Sequence, residues 1–356
     1  MLNEMSKKRF DAFWEHEVID RCVLFLSAPG KSGSQQPQPV SVQQQWMDVD
    51  TRVKNAISQE RILLGDGFKG AFPYFGPGCL AACIGSDYVL DESTVWFDQN
   101  PIIKDFSALP RIEFDPKSEI WQKVMEFTQK ACDYGKGKLY TAITDIGGIL
   151  DVIACLRGTQ ELLFDLYDYP EEVLALVDRV TDYWETAFNL QWDIISKYQE
   201  GSTGWMPLWC RQRYFPLQCD FCAMISPDMF ETFVLPNLRR QTEFLDKSVY
   251  HLDGAQQIAH LDMILSLPKL TAIQWVPGAG NPNTTSECWY EMYDRIQAAG
   301  KGLILGADSG SPSTLEAIER TLRHLKTTKG VFFSANYDNL ETAEKVLRIA
   351  EDIGAK

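Results

Sequence analysis

From about residue 200 onward, short apolar runs that end in Gly, Asp or Pro alternate with segments carrying apolar residues at three- and four-residue spacing. The runs are 204–208, 249–251, 270–276, 302–307 and 330–334, followed by helical patterns over 228–245, 255–265, 287–299, 314–325 and 340–353. In the last two helices Ile318, Leu322 and Leu325, then Ala343, Val346, Leu347 and Ala350, mark one buried stripe each. Strand–helix units of this length predict a parallel sheet covered by helices. The first half supplies three further strand candidates, 21–26, 71–75 and 138–143, which brings the total to about eight. A helical stretch over 4–18 precedes them. The expected fold is therefore α/β, a single (β/α)8 TIM barrel over 21–356 with an extra N-terminal helical segment over 1–20. A doubly wound sheet is the alternative, but no Gly-rich dinucleotide turn follows the first strand.

Residues 28–45 are rich in Pro, Gly, Ser and Gln and predict a long loop. Gly30-Lys31-Ser32 within it is not a phosphate loop, because position 25, where that motif needs its first glycine, holds Phe25. The chain has 356 residues, 45% hydrophobic and 23% charged, which is ordinary for a folded protein and excludes wholesale disorder. A formal charge of -15 makes nucleic acid and anionic membranes poor partners. No apolar run approaches a membrane span, and the mixed, charged N-terminus does not read as a signal peptide. Nine scattered cysteines fit structural thiols in a reducing cytoplasm, Cys219 and Cys222 included.

In a barrel, chemistry gathers at the C-terminal ends of the strands. Candidates there are Tyr74, Asp145, Trp205, Arg211, Arg213, Tyr214, Asp220, His251, Asp253, Gln274, Trp275, Asp308 and Asn336. Single polar residues at these positions often only cap the next helix, and Asp308 is a good example. Tyr250-His251-Leu252-Asp253-Gly254 is the sharpest motif. Residues two apart on a strand point the same way, so His251 and Asp253 would share a metal or form an acid–base pair. Arg211 and Arg213, among Trp205, Trp209, Tyr214 and Phe215, would clamp a substrate carboxylate, or else be solvated loop arginines. Asp220, in an apolar setting, is a candidate general acid. Trp275 before Pro277-Gly278 suggests a rigid aromatic wall.

Several of these segments together resemble the uroporphyrinogen decarboxylase superfamily, which includes the corrinoid-linked methyltransferases. Leu217-Gln218-Cys219-Asp220, Ile225-Ser226-Pro227-Asp228-Met229-Phe230 and Phe233-Val234-Leu235-Pro236 look like its acidic residue, Ser-Pro-x-x-Phe turn and Phe-x-x-Pro helix. His251-Leu252-Asp253-Gly254 is similar to the His-x-Cys-Gly element of the methyltransferase branch. The likeness runs from roughly Asp145 to the C-terminus and implies a (β/α)8 barrel with its site at the mouth.

Two departures refine what the resemblance implies. Asp253 stands where that branch has its first zinc-binding Cys, and Ser334-Ala335-Asn336 offers no second one. Without soft thiolates, a harder divalent metal or none is expected on His251 and Asp253. The true decarboxylase has an Arg-rich segment after its first strand and a His after its last; here the first strand runs into Ser27-Ala28-Pro29-Gly30-Lys31. Uroporphyrinogen itself is therefore not the expected substrate. The resemblance implies a methyltransferase-like enzyme for a small methylated or carboxylated metabolite, with a corrinoid carried by a partner protein as a candidate cofactor and a homodimer as a candidate assembly. Two alternatives stay open: a decarboxylase or lyase of a small acid, and a non-catalytic binding protein on the same barrel.

Overall fold

The computed structural model describes residues 1–30, 41–58, 60–97, 100–106, 112–307 and 313–356. Its eleven strands among these residues are β1 (Val23–Pro29), β2 (Arg61–Gly65), β3 (Gly70–Ala71), β4 (Val89–Leu90), β5 (Val95–Trp96), β6 (Tyr140–Thr141), β7 (Tyr214–Leu217), β8 (Lys247–Asp253), β9 (Ala272–Val276), β10 (Gly302–Gly306) and β11 (Val331–Asn336). One ladder joins seven of them in the order β2-β1-β11-β10-β9-β8-β7. All its pairings are parallel except β1 with the edge strand β2. β3 and β6 form a separate parallel pair, and β4 and β5 an antiparallel one. The architecture is thus a mixed α/β fold on a mostly parallel sheet. The hydrogen-bonded ladder stops short of the eight-strand ring that the sequence pattern suggests.

Alternation along the strands divides the core into two layers. Tyr250, Leu252, Ile273, Trp275 and Phe333 face the helices in the larger apolar cluster. Val23, Val249, Ala272, Ile304 and Phe332 face the other way, and Phe10, Phe13 and Trp14 of helix Glu4–Trp14 pack on them. We call this the inner face. The N-terminal helix fills it at the end where the strands begin, which leaves its polar residues to the end where they finish. Asn3 caps that helix, its side chain accepting from the Ser6 N–H at 2.8 Å.

One strand lies elsewhere than the pattern suggests. The run 204–208 is not a strand; its place in the ladder belongs to β7, ten residues later. Pro207 offers no N–H to a ladder, and Leu208 turns back to the Met206 carbonyl at 2.8 Å. Pro216 is tolerated in β7 because β7 ends the ladder. Among the described residues no helix is long and apolar enough to cross a membrane.

Candidate active site

The parallel register places His251 opposite Gln274 and Asp253 opposite Val276. His251 and Asp253, two apart on β8, both point to the inner face near the C-terminal ends of the strands. Gln274 Oε1 lies 2.6 Å from His251 Nδ1. An amide oxygen only accepts, so Nδ1 carries the proton and Nε2 is the atom turned to the carboxylates. Nε2 is 3.6 Å from Asp253 Oδ2, and the Trp205 ring stands edge-on to the imidazole at 4.9 Å. Burial works against the imidazolium. The contact of Nε2–H with the Asp253 carboxylate and the charges of Asp220 and Asp253 outweigh it, so the His251 pKa is raised.

Asp220 opens the short 3-10 helix Asp220–Met224 that follows β7. That turn is held by a residue the sequence reading overlooks. Asp151, in the first turn of helix Ile149–Arg157, accepts the backbone N–H groups of Asp220 at 3.0 Å and Phe221 at 2.7 Å. Such an acid reads in sequence as ordinary helix N-terminal charge. The approach is so close that a Cβ on Gly148 would lie 2.2 Å from Asp151 Oδ2 and 2.4 Å from the Gln218 carbonyl. Only glycine fits there. One ligand atom each from Asp220, His251 and Asp253 lies within 4.8 Å of the others.

Asp145 lies close enough to feel the charges of Asp220 and His251 and is buried, its Oδ1 accepting the Gly147 N–H at 2.9 Å. Burial raises its pKa to about 7; the nearby Asp220 charge adds to the shift, while the Gly147 bond and His251 oppose it. Asp151 is pushed to about 7 as well, again by burial first and Asp220 second. Asp220 shifts upward by burial and the Asp253 charge, with His251 opposing. The site therefore holds carboxyls that carry protons near neutrality beside an imidazole that tends to keep its own.

A testable consequence follows for stability. Between about pH 4 and pH 7 the unfolded chain has released the Asp145 proton, while the folded protein retains it. Folding takes up a proton in that window, so this group's contribution is fully present below pH 4 and is lost as pH rises through 7. Asp145→Asn keeps an acceptor for Gly147 and removes the ionisation. It is expected to stabilise the protein by roughly 2–4 kcal/mol at about pH 8 and hardly at all at about pH 4, read from urea midpoints. Equal effects at both pH values would contradict a carboxyl held neutral.

Tyr74 follows β3, and its phenol is raised by burial and by the Asp145 charge, with a Thr94 bond opposing. Beside Asp151 and Asp220 a cavity of about 310 Å3 is walled by Phe97, Phe221 and Met224. Trp205 lines a second, smaller cavity, of about 150 Å3, with Phe25 and Phe68. Asn336 ends β11 and accepts the Ser27 hydroxyl.

Four of the expected site residues lie elsewhere. Arg211, Arg213 and Tyr214 are at the start of β7, not beyond the end of a strand, because the strand begins at Tyr214 and not at Gly204. Tyr214 pairs in register with Lys247, four residues and about 13 Å of strand before His251. Arg211 ion-pairs with Asp11 at 2.9 Å and with Glu200. Arg213 lies over the Phe244 ring at 4.3 Å, and its backbone N–H donates to Asp246 at 3.0 Å. Tyr214 is buried against Trp14 at 4.8 Å. Trp275 faces the helix layer, edge-on to Trp289 at 4.9 Å, because its neighbour Gln274 takes the inner face. Asp308 lies outside the described residues.

No protein-family model matches the sequence, and no curated protein matches it either. Among solved structures the chain is similar to a methyltransferase from Methanosarcina mazei, at 12% identity and a TM-score of 0.61 over 98% of each chain. At that identity the likeness is one of fold.

Proposed function

We propose that this chain is a methyltransferase-like enzyme of the uroporphyrinogen decarboxylase superfamily, acting on a small metabolite at the group Asp220, His251 and Asp253. The single observation that carries the reading is the meeting of those three ligand atoms within 4.8 Å on the inner face of the sheet. A fold shared over nearly the whole length with a methyltransferase supports it. In this reading β1, β3 and β6 to β11 are the eight parallel strands of a barrel whose mouth is the end where Asp253 and Asn336 lie.

One imidazole nitrogen and two carboxylates suit a divalent ion harder than the one a thiolate set selects. Asp220, His251 and Asp253 would hold such an ion, which would supply Lewis acidity there. The chain's own groups do the rest. Gln274 fixes the imidazole so that Nε2 faces the reacting group. Without an ion Asp253 and Asp220 favour the protonated ring, whose Nε2 proton a bound ion would displace, and Asp145 holds a further proton near neutrality. Trp205 covers the imidazole edge and keeps water from it. The methyl source in this reading is a corrinoid, brought by a partner protein.

The test is consumption of methylcobalamin with 2-mercaptoethanol as acceptor, followed by absorbance, with Mn2+ or Zn2+ supplied to protein freed of metal. Turnover that depends on the protein and on Asp220 supports the proposal. No consumption with any of these additions would sink it. A second reading, a decarboxylase of a small acid, draws support from the Asp145 carboxyl at about 7, a proton donor in the right range for a developing carbanion. It predicts CO2 release with no use of methylcobalamin.

A further inference from the structure

With Arg211 and Arg213 at the far end of the sheet, the chain needs another cation if its substrate is an acid. One pair faces the inner side from the edge of the ladder. Arg61 begins β2 and lies opposite Pro29 at the C-terminal end of β1. Its Nε and Nη2 donate to the Ser27 hydroxyl at 3.1 and 2.8 Å, and that hydroxyl in turn donates to Asn336. Ser27 is only 1% exposed, so the guanidinium is tethered to a buried anchor. Three of its five N–H groups remain to donate. No carboxylate among the described residues ion-pairs with Arg61 or Lys69. Lys69 gives one N–H to the Ile57 carbonyl and keeps two. Both cations line a cavity of about 210 Å3 floored by Phe25 and Phe68.

We propose that Arg61 and Lys69, with Ser27 as anchor, form a subsite for a small oxyanion, a carboxylate or phosphate group of the substrate. The geometry suits it in three ways. A planar guanidinium held by one edge presents the other for a bidentate contact. Two cations in a protein of net charge -15 make this cavity a local exception that selects an anion against the surrounding field. The cavity also leads toward the reacting group: it shares Phe25, Phe68 and Gly70 with the cavity that Trp205 lines, and Trp205 touches His251. A substrate anchored at Arg61 thus extends toward the imidazole; this last step rests on the function proposed above, whereas anion binding does not.

The experiment is calorimetric titration of the whole protein with malonate and, separately, inorganic phosphate, at constant ionic strength in chloride. Saturable binding is expected, weakened tenfold or more in Arg61→Gln and less in Arg61→Lys. Ser27→Ala, which frees the guanidinium from its anchor, should weaken it severalfold. His251→Ala should bind within twofold of wild type. Tighter malonate assigns a carboxylate and tighter phosphate a phosphoryl group. Absence of saturable binding by both anions, or binding that Arg61→Gln leaves unchanged in a folded variant, overturns the proposal. If malonate binds through Arg61 while methylcobalamin is not consumed, the subsite stands and the methyl-transfer reading falls.

Discussion

His251→Ala is expected to lower turnover by about 10^2–10^4-fold while leaving the fold intact. The imidazole is where three influences meet: Gln274 fixes its tautomer, Asp253 faces Nε2 at 3.6 Å, and Trp205 covers its edge. Removing it leaves Asp220 and Asp253 facing each other without the cation between them. Loss of the imidazolium should push the Asp220 carboxyl further toward the protonated form, because His251 is what opposes its upward shift. The side chain is mostly buried against Trp205 and Gln274, so its loss also removes some packing, and the melting temperature should fall by several degrees without loss of the fold. Gln274→Ala should cost less, about tenfold, because it frees the ring to rotate but keeps the nitrogen. Methylcobalamin consumption and thermal melts on both variants check this. A His251→Ala enzyme within threefold of wild type would remove the imidazole from the mechanism.

The largest stability effect is expected at the other end of the sheet. Asp66 has 0% exposure and accepts from Arg21 at 2.7 Å, Arg9 at 3.0 Å and the Leu24 N–H at 3.2 Å. It ties the N-terminal helix to β1 and the end of β2. Burying a carboxylate is costly, but here it is fully partnered, and the cost returns once a partner is removed. Asp66→Ala leaves Arg21, itself 4% exposed, charged and unmatched. A loss of about 3–5 kcal/mol is expected in urea unfolding. Asp20→Ala is the control: Asp20 also pairs with Arg9, at 2.6 Å, but is half exposed, and such rim pairs contribute below about 1 kcal/mol. Equal losses in the two variants would show that burial is not what makes the Asp66 cluster matter.

Several features could be read directly from the chain. The strand–helix rhythm after residue 245 marks β8 to β11 within a few residues, because alternating and 3.6-residue periods are local properties. The common orientation of His251 and Asp253 follows from the two-residue period of a strand. The shift from 204–208 to Tyr214–Leu217 could not be read, since both runs are apolar and both contain proline. That one displacement moved Arg211, Arg213 and Tyr214 from one end of the sheet to the other. Arg61 stayed hidden for the opposite reason: β2 is a short edge strand, and nothing near Arg61 in sequence announces that Ser27 will meet it.

Period and composition set the element types, their parallel arrangement and the pairing of side chains two apart, because backbone geometry imposes these within a few residues. What the chain's order leaves open is the environment of each charge. Whether a carboxyl is buried, as Asp145 is, or whether a cation faces an acid or a cavity, as with Arg211 and Arg61, depends on segments brought together from far apart. Solvation and Coulomb energies are set by those neighbours and not by the residue's own type, so the chemistry of this site emerges only when the strands are assembled.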